Sequence, residues 1–183
     1  MFKKFFQLIN KRSAPVETPA VSATITTEVP EKVSGIPYFA PVKGLVKNIS
    51  EAPDSSYANQ QLGDGIFILP ADHKIYAPCD CEIAFIFPAS HALGLRTKDG
   101  IELLLSLEMD NSSTQEAGFT LAVDEDQDVK KGTLLGEFDP NYTEGNTHPA
   151  RIHLIATNLE ETQHLTTDEN KNVTLEDIIF EIA

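Results

Sequence analysis

Ala40-Pro41-Val42-Lys43-Gly44-Leu45-Val46-Lys47-Asn48-Ile49 returns, 37 residues on, as Ala77-Pro78-Cys79-Asp80-Cys81-Glu82-Ile83-Ala84-Phe85-Ile86. Each copy opens on Ala-Pro, with a small residue four positions after the Ala, a β-branched residue at six and Ile at nine. Asp64-Gly65-Ile66 follows the first copy, and Asp99-Gly100-Ile101 follows the second after a similar interval. Either match alone could be chance; both in the same order predict two similar β-units around one core. The two Asp-Gly pairs are expected to supply tight hairpin turns.

The sequence around the repeat supports an all-β reading. Short apolar runs at Gly65–Leu69, Glu82–Phe87, Ile101–Leu107, Thr133–Phe138, Ile152–Thr157 and Ile178–Ile182 are separated by Gly, Pro, Asn and Asp. Runs of that length with turn residues between them predict strands, and from about Tyr38 to Ala183 nothing sustains a helical period. The 183 residues, 41% hydrophobic and 23% charged, suffice for one domain with a real core. No apolar run approaches the roughly 20 residues that span a bilayer.

Charge divides the chain further. Fourteen basic residues face 28 acidic ones. Lys3, Lys4, Lys11 and Arg12 all precede the first acid, Glu17, leaving 10 basic against 28 acidic groups beyond them. Such a body repels nucleic-acid phosphates and anionic membranes, while the first dozen residues are drawn to them. Residues 1–12 are read as a basic amphipathic tip. Phe2, Phe5, Phe6 and Ile9 share one face of a short helix whose remainder carries Lys3 and Lys4. That helix is marginal alone, and it gains an apolar partner either at a lipid interface or on its own domain. The six residues between the two basic pairs are too few for a secretory h-region. Residues 13–37, interrupted by Pro15, Pro19, Pro30 and Pro37, read as a flexible linker. Residues 38–183 form the expected domain.

Cys79 and Cys81, one residue apart, cannot easily close a disulfide and lack a second pair for a metal, so they read as small strand residues in a reducing compartment. Asp124, Asp126 and Asp128 alternate like a calcium loop. Val129 and Leu135 stand where that loop needs Gly and Glu, so the segment reads as a solvated acidic turn. No metal site or cofactor is expected.

The chain from Tyr38 onward resembles the glucose-type enzyme IIA domain of the bacterial phosphoenolpyruvate–sugar phosphotransferase system. The resemblance rests on Ala40-Pro41-Val42-Lys43-Gly44, Gly63-Asp64-Gly65-Ile66, Ala77-Pro78 with Asp80, and Ser90-His91-Ala92. It continues through Gly100-Ile101-Glu102-Leu103, Val129-Lys130-Lys131-Gly132 and Asn172-Val173-Thr174. It implies a single antiparallel β-sandwich with internal duplication, the duplicated hybrid motif. It also implies a phosphoryl relay, in which a carrier protein's phosphohistidine passes its group to a histidine here and onward to a sugar-transport subunit. Two histidines face one another in the family's shallow apolar depression. An imidazole is a neutral nucleophile near pH 7, and its N–P bond stays reactive.

One of that pair is matched here. Ser90-His91-Ala92 supplies His91, but the acceptor motif reads Gly100-Ile101-Glu102-Leu103-Leu104-Leu105-Ser106 and places Ser106 where the family has its acceptor. Glu108 brings a carboxylate nearby, and Asp110 keeps the family's acid. A serine hydroxyl needs a base, for which His91 is the candidate, and its phosphate ester is a poor phosphoryl donor. The expectation is a degenerate regulatory or partner-binding domain; the alternative is an active carrier using His91 or Ser106. Strand period puts Ser106, Leu104 and Glu102 on one face, and the resemblance implies Tyr57, Phe87 and Leu93 at the rim of the depression if it persists. His73, His148, His153 and His164 have no matching family role. The expected setting is cytoplasmic, with phosphotransferase-system proteins as partners, no nucleic acid, and an anionic membrane surface if residues 1–12 engage one.

Overall fold

The structure, a computed structural model, describes residues 35–87, 91–108, 119–142 and 149–183. The amphipathic tip, most of the linker, Asp110 and His148 lie outside the described residues. All six apolar runs are strands: β3 (Asp64–Pro70), β5 (Cys81–Ile86), β7 (Glu102–Glu108), β10 (Leu134–Phe138), β11 (Arg151–Ala156) and β14 (Ile178–Ile182). Between them lie β1 (Ile36–Phe39), β2 (Gly44–Asn48), β4 (Lys74–Tyr76), β6 (Ala92–Thr97), β8 (Phe119–Leu121), β9 (Asp128–Val129), β12 (Leu165–Thr167) and β13 (Asn172–Val173). The largest sheet runs β13-β2-β3-β11-β7-β6-β5-β9, with smaller sheets β1-β14-β12 and β4-β10-β8, and their ladders are antiparallel.

Alternation along each strand decides which side chains meet. Leu103, Leu105 and Leu107 of β7, Ile152 and Leu154 of β11, and Ile66 and Ile68 of β3 point inward. They pack against Phe180 and Ile182 of β14 and Ile75 and Leu135 of the third sheet. The result is a β-sandwich. Each such side chain contributes about 1.5–3 kcal/mol relative to exposure.

The duplication is visible in backbone bonds. Phe39 N–H donates to Pro78 O, and Tyr76 N–H donates to Pro41 O, a reciprocal exchange between the two Ala-Pro copies. Gly44 lies opposite Val173, and its counterpart Cys81 lies opposite Val129. The turns that follow match too. Asp177 N–H donates to Thr174 O, and Thr133 N–H to Lys130 O.

The two Asp-Gly pairs part company. Asp99-Gly100 forms the expected hairpin turn between β6 and β7, with Gly100 at φ +86° and its N–H donating to Thr97 O. Asp64-Gly65, also expected in a turn, instead opens β3 opposite Ala156 and Ile155. A Cβ at Gly65 would stand 2.2 Å from Leu154 O, so close strand approach, not a turn, requires this glycine.

Candidate functional site

The outer face of the large sheet is not left to water. Phe67, Ala92, Leu104 and Ile155 form a second apolar cluster beneath Ile49 and Ala52 of the crossover between β2 and β3. This crossover carries a 3-10 turn (Ile49–Glu51) and a four-residue helix, α1 (Ser55–Ala58). Asp54 caps α1, its Oδ1 accepting from Ser56 N–H at 2.7 Å. A helix this short has no stability of its own, and it is held by its cap, by the 3-10 turn beside it and by the contacts of Tyr57.

One row of residues crosses this face. Register places Lys47 opposite Phe67, Phe67 opposite His153, His153 opposite Ser106, and Ser106 opposite Ala92. Directly opposed residues of antiparallel strands point to the same side. Tyr57 lies across the middle of the row. Its hydroxyl shares a 2.9 Å hydrogen bond with the Ser106 hydroxyl, and its ring centroid is 3.9 Å from that of His153. Phe67 closes the other side of His153 edge-on, at 5.7 Å.

Electrostatics separate these groups. His153 is fully buried, and its pKa is pushed down to about 4, first by burial and then by the Arg151 charge, with Asp54 opposing. It is therefore a neutral imidazole near pH 7. Glu108 Oε2 lies 3.3 Å from His153 Nε2, and Arg151 Nη1 lies 3.7 Å from Glu108 Oε1. Neither ring nitrogen of His153 has a hydrogen-bond partner among the described residues. Burial raises the Tyr57 pKa; its bond to Ser106 opposes, while Glu108 and Asp54 raise it further. Ser106, 5% exposed, is thus held by a neutral phenol rather than activated by a base.

The residues singled out from sequence fall into two groups. Tyr57, Phe87 and Leu104 gather on the Ser106 face, and Glu108 follows on the same strand. His91 sits exposed on the bend before β6, where its carbonyl accepts from Leu107 N–H at 2.8 Å. Leu93 is a correction. It is 1% exposed and belongs to the main core, because alternation turns it away from its neighbour Ala92. The omission was His153. Its signal was a histidine inside the apolar run Ile152-His153-Leu154-Ile155, but only strand pairing shows what it faces. A separate cleft of about 280 Å³, lined by Asp80, Glu82, Arg96, Lys98 and Lys130 among others, shares no residue with this row.

The sequence pattern of the phosphoenolpyruvate-dependent sugar phosphotransferase system, EIIA 1 family matches residues 36–162, most of the chain and all of this face. The chain belongs to that family. This EIIA chain is 36% identical over 171 residues to the PTS system glucose-specific EIICBA component of Staphylococcus saprophyticus, covering 90% of itself. It is 35% identical over 134 residues, 73% of itself, to the component of the same name in Staphylococcus carnosus. It spans only 25% and 20% of the length of those two relatives. Among solved structures it is similar to the glucose permease IIA from Mycoplasma capricolum, with a TM-score of 0.69 and 28% identity. That match covers 80% of this chain and 94% of the other. Among the described residues of this EIIA chain, no helix is long and apolar enough to cross a membrane.

Proposed function

We propose that this EIIA chain is a degenerate member of its family, one that binds phosphotransferase-system partners and regulates without relaying phosphate through position 106. The observation that carries this reading is the state of Ser106. By motif it stands at the family's acceptor position, yet its hydroxyl is buried and tied to Tyr57. A hydroxyl without a base is a weak nucleophile, and a phosphoserine would hold its phosphate rather than pass it on. The partners are a phosphohistidine carrier protein or a sugar-transport subunit. This is supported by relatives in which the matched segment is part of a longer glucose-specific component. The setting is the cytoplasm, with residues 1–12 touching anionic membrane, a contact that co-sedimentation with anionic vesicles checks.

The test is incubation of the full chain with the phosphoenolpyruvate-driven carrier system, followed by intact mass measurement. The expected result is no acid-labile phosphoryl group on Ser106 or His91. The competing reading, relay through His91 or Ser106, has the exposure of His91 in its favour. Efficient, reversible labelling mapped to either residue establishes it instead.

A further inference from the structure

We propose that His153 is a latent phosphoryl acceptor and that Tyr57 is the lid that keeps it shut. The inference goes beyond the reading above, which concerns position 106 and the closed protein. Three observations carry it. The imidazole of His153 lies directly opposite Ser106, one strand spacing (about 4.8 Å) from where the family resemblance puts an acceptor. Both of its ring nitrogens are buried without a hydrogen-bond partner among the described residues. Tyr57 covers the ring from a four-residue helix in a crossover, not from the sheet itself.

Packing alone does not account for this side chain. Beside it on this face are the apolar Phe67, Leu104 and Ile155, with Ser106 opposite and Glu108 at 3.3 Å from Nε2, and Nδ1 has no partner among the described residues. An unpartnered polar group among them is costly, because it forfeits its bonds to water and gains none in return. What the imidazole retains is a lone pair, since the ring is neutral with its pKa held near 4. The approach of Glu108 Oε2 to Nε2 favours the tautomer protonated there, which leaves the lone pair on Nδ1. Arg151 lies beside Glu108 on the Nε2 side of the ring, away from the Nδ1 lone pair.

The chemistry balances without a further reactant. A donor with a P–N bond, such as a phosphohistidine, presents its phosphorus to Nδ1. The new N–P bond forms as the donor's P–N bond breaks, and that electron pair leaves with the donor nitrogen. The proton released from Nε2 toward Glu108 matches the one the leaving nitrogen takes up. Tyr57 blocks this approach while its ring lies tilted over the imidazole and its hydroxyl bonds Ser106. A partner that displaces Tyr57 uncovers the nucleophile.

The probe is phosphoramidate, a small P–N donor that needs no protein recognition, applied to the full chain with labelled sites mapped by fragmentation. The unaltered protein is expected to take little label at His153. Tyr57→Ala should raise label at His153 at least tenfold, and adding His153→Gln should abolish the gain. If folded Tyr57→Ala gains no label at His153, or if the unaltered protein is labelled there equally, the proposal is overturned. Should Tyr57→Ala not fold, Asp54→Ala loosens α1 by removing its cap while leaving Tyr57 in place. It should raise label at His153 by a smaller factor, and no rise overturns the proposal. The carrier-protein experiment decides the reading of position 106, whereas this one is decided at His153 alone.

Discussion

The two Ala-Pro repeats make the same backbone contacts and differ in what they place between their strands. In the second, β5 leads through a short connection to β6 and then by the Asp99-Gly100 turn to β7, a plain three-stranded meander. In the first, β2 pairs directly with β3, and the crossover of residues 49–63 holds the 3-10 turn and α1. That crossover packs over the outer face of the sheet and delivers Tyr57 to His153 and Ser106. The shared part is therefore frame, and the unshared part builds the site. Duplicated contacts cannot diverge far without losing the core, while an insertion on the outer face can.

The sharpest way to break this comparison is to exchange the roles of its two Asp-Gly pairs. Gly65→Ala places a Cβ 2.2 Å from Leu154 O and 2.8 Å from Ile155 Cα, and neither backbone atom can yield. The expected loss is about 4 kcal/mol in urea unfolding, at the upper end for a single substitution. The matched change Gly100→Ala meets nothing within 4 Å and bears only the strain of φ +86°. It should cost about 1.5 kcal/mol. Equal losses at the two sites would mean that the pairs are equivalent after all.

A second test separates the outer face from the core through acid. The folded pKa of His153 is about 4, below the unfolded value near 6.5, so the unfolded chain binds its proton first as pH falls. Stability from this residue is fully present above about pH 6.5 and is lost progressively down to about pH 4. The whole effect is about 3 kcal/mol. His153→Val should remove that part of the pH dependence, read as the difference in unfolding free energy between pH 7 and pH 4 in each protein. An unchanged pH dependence would place the imidazole in contact with water.

The smallest effect belongs to the crossover. Tyr57→Phe keeps the ring over His153 and removes the bond to Ser106, at an expected cost of about 1 kcal/mol. Hydrogen exchange should speed in residues 49–63 more than in β3 or β7. Uniform acceleration across the sheet would show that the crossover is frame rather than insert.

Much of the fold was legible because strand patterns are local. The six apolar runs became strands, and period two along β7 put Ser106 with Leu104 on the outer face. The carried-over family depression misled at Leu93, where alternation from Ala92, the first outward residue of the strand, turns Leu93 into the core. Asp64-Gly65 was misread for a related reason, since a glycine chosen for turn freedom and one chosen for close approach look alike in sequence.

The sequence by itself determined the duplication, the β class, the family resemblance and the serine at position 106, all carried by short motifs and their order. Only the tertiary structure decided what surrounds that serine. Ser106 and His153 lie 47 residues apart and meet because β11 pairs with β7 in one register, and a slip of one residue would turn His153 into the core. Tyr57 reaches them from a helix too short to form unaided. Its place is set by the apolar face it covers and by one hydroxyl bond, and burial of that kind exists only once the sheet is assembled.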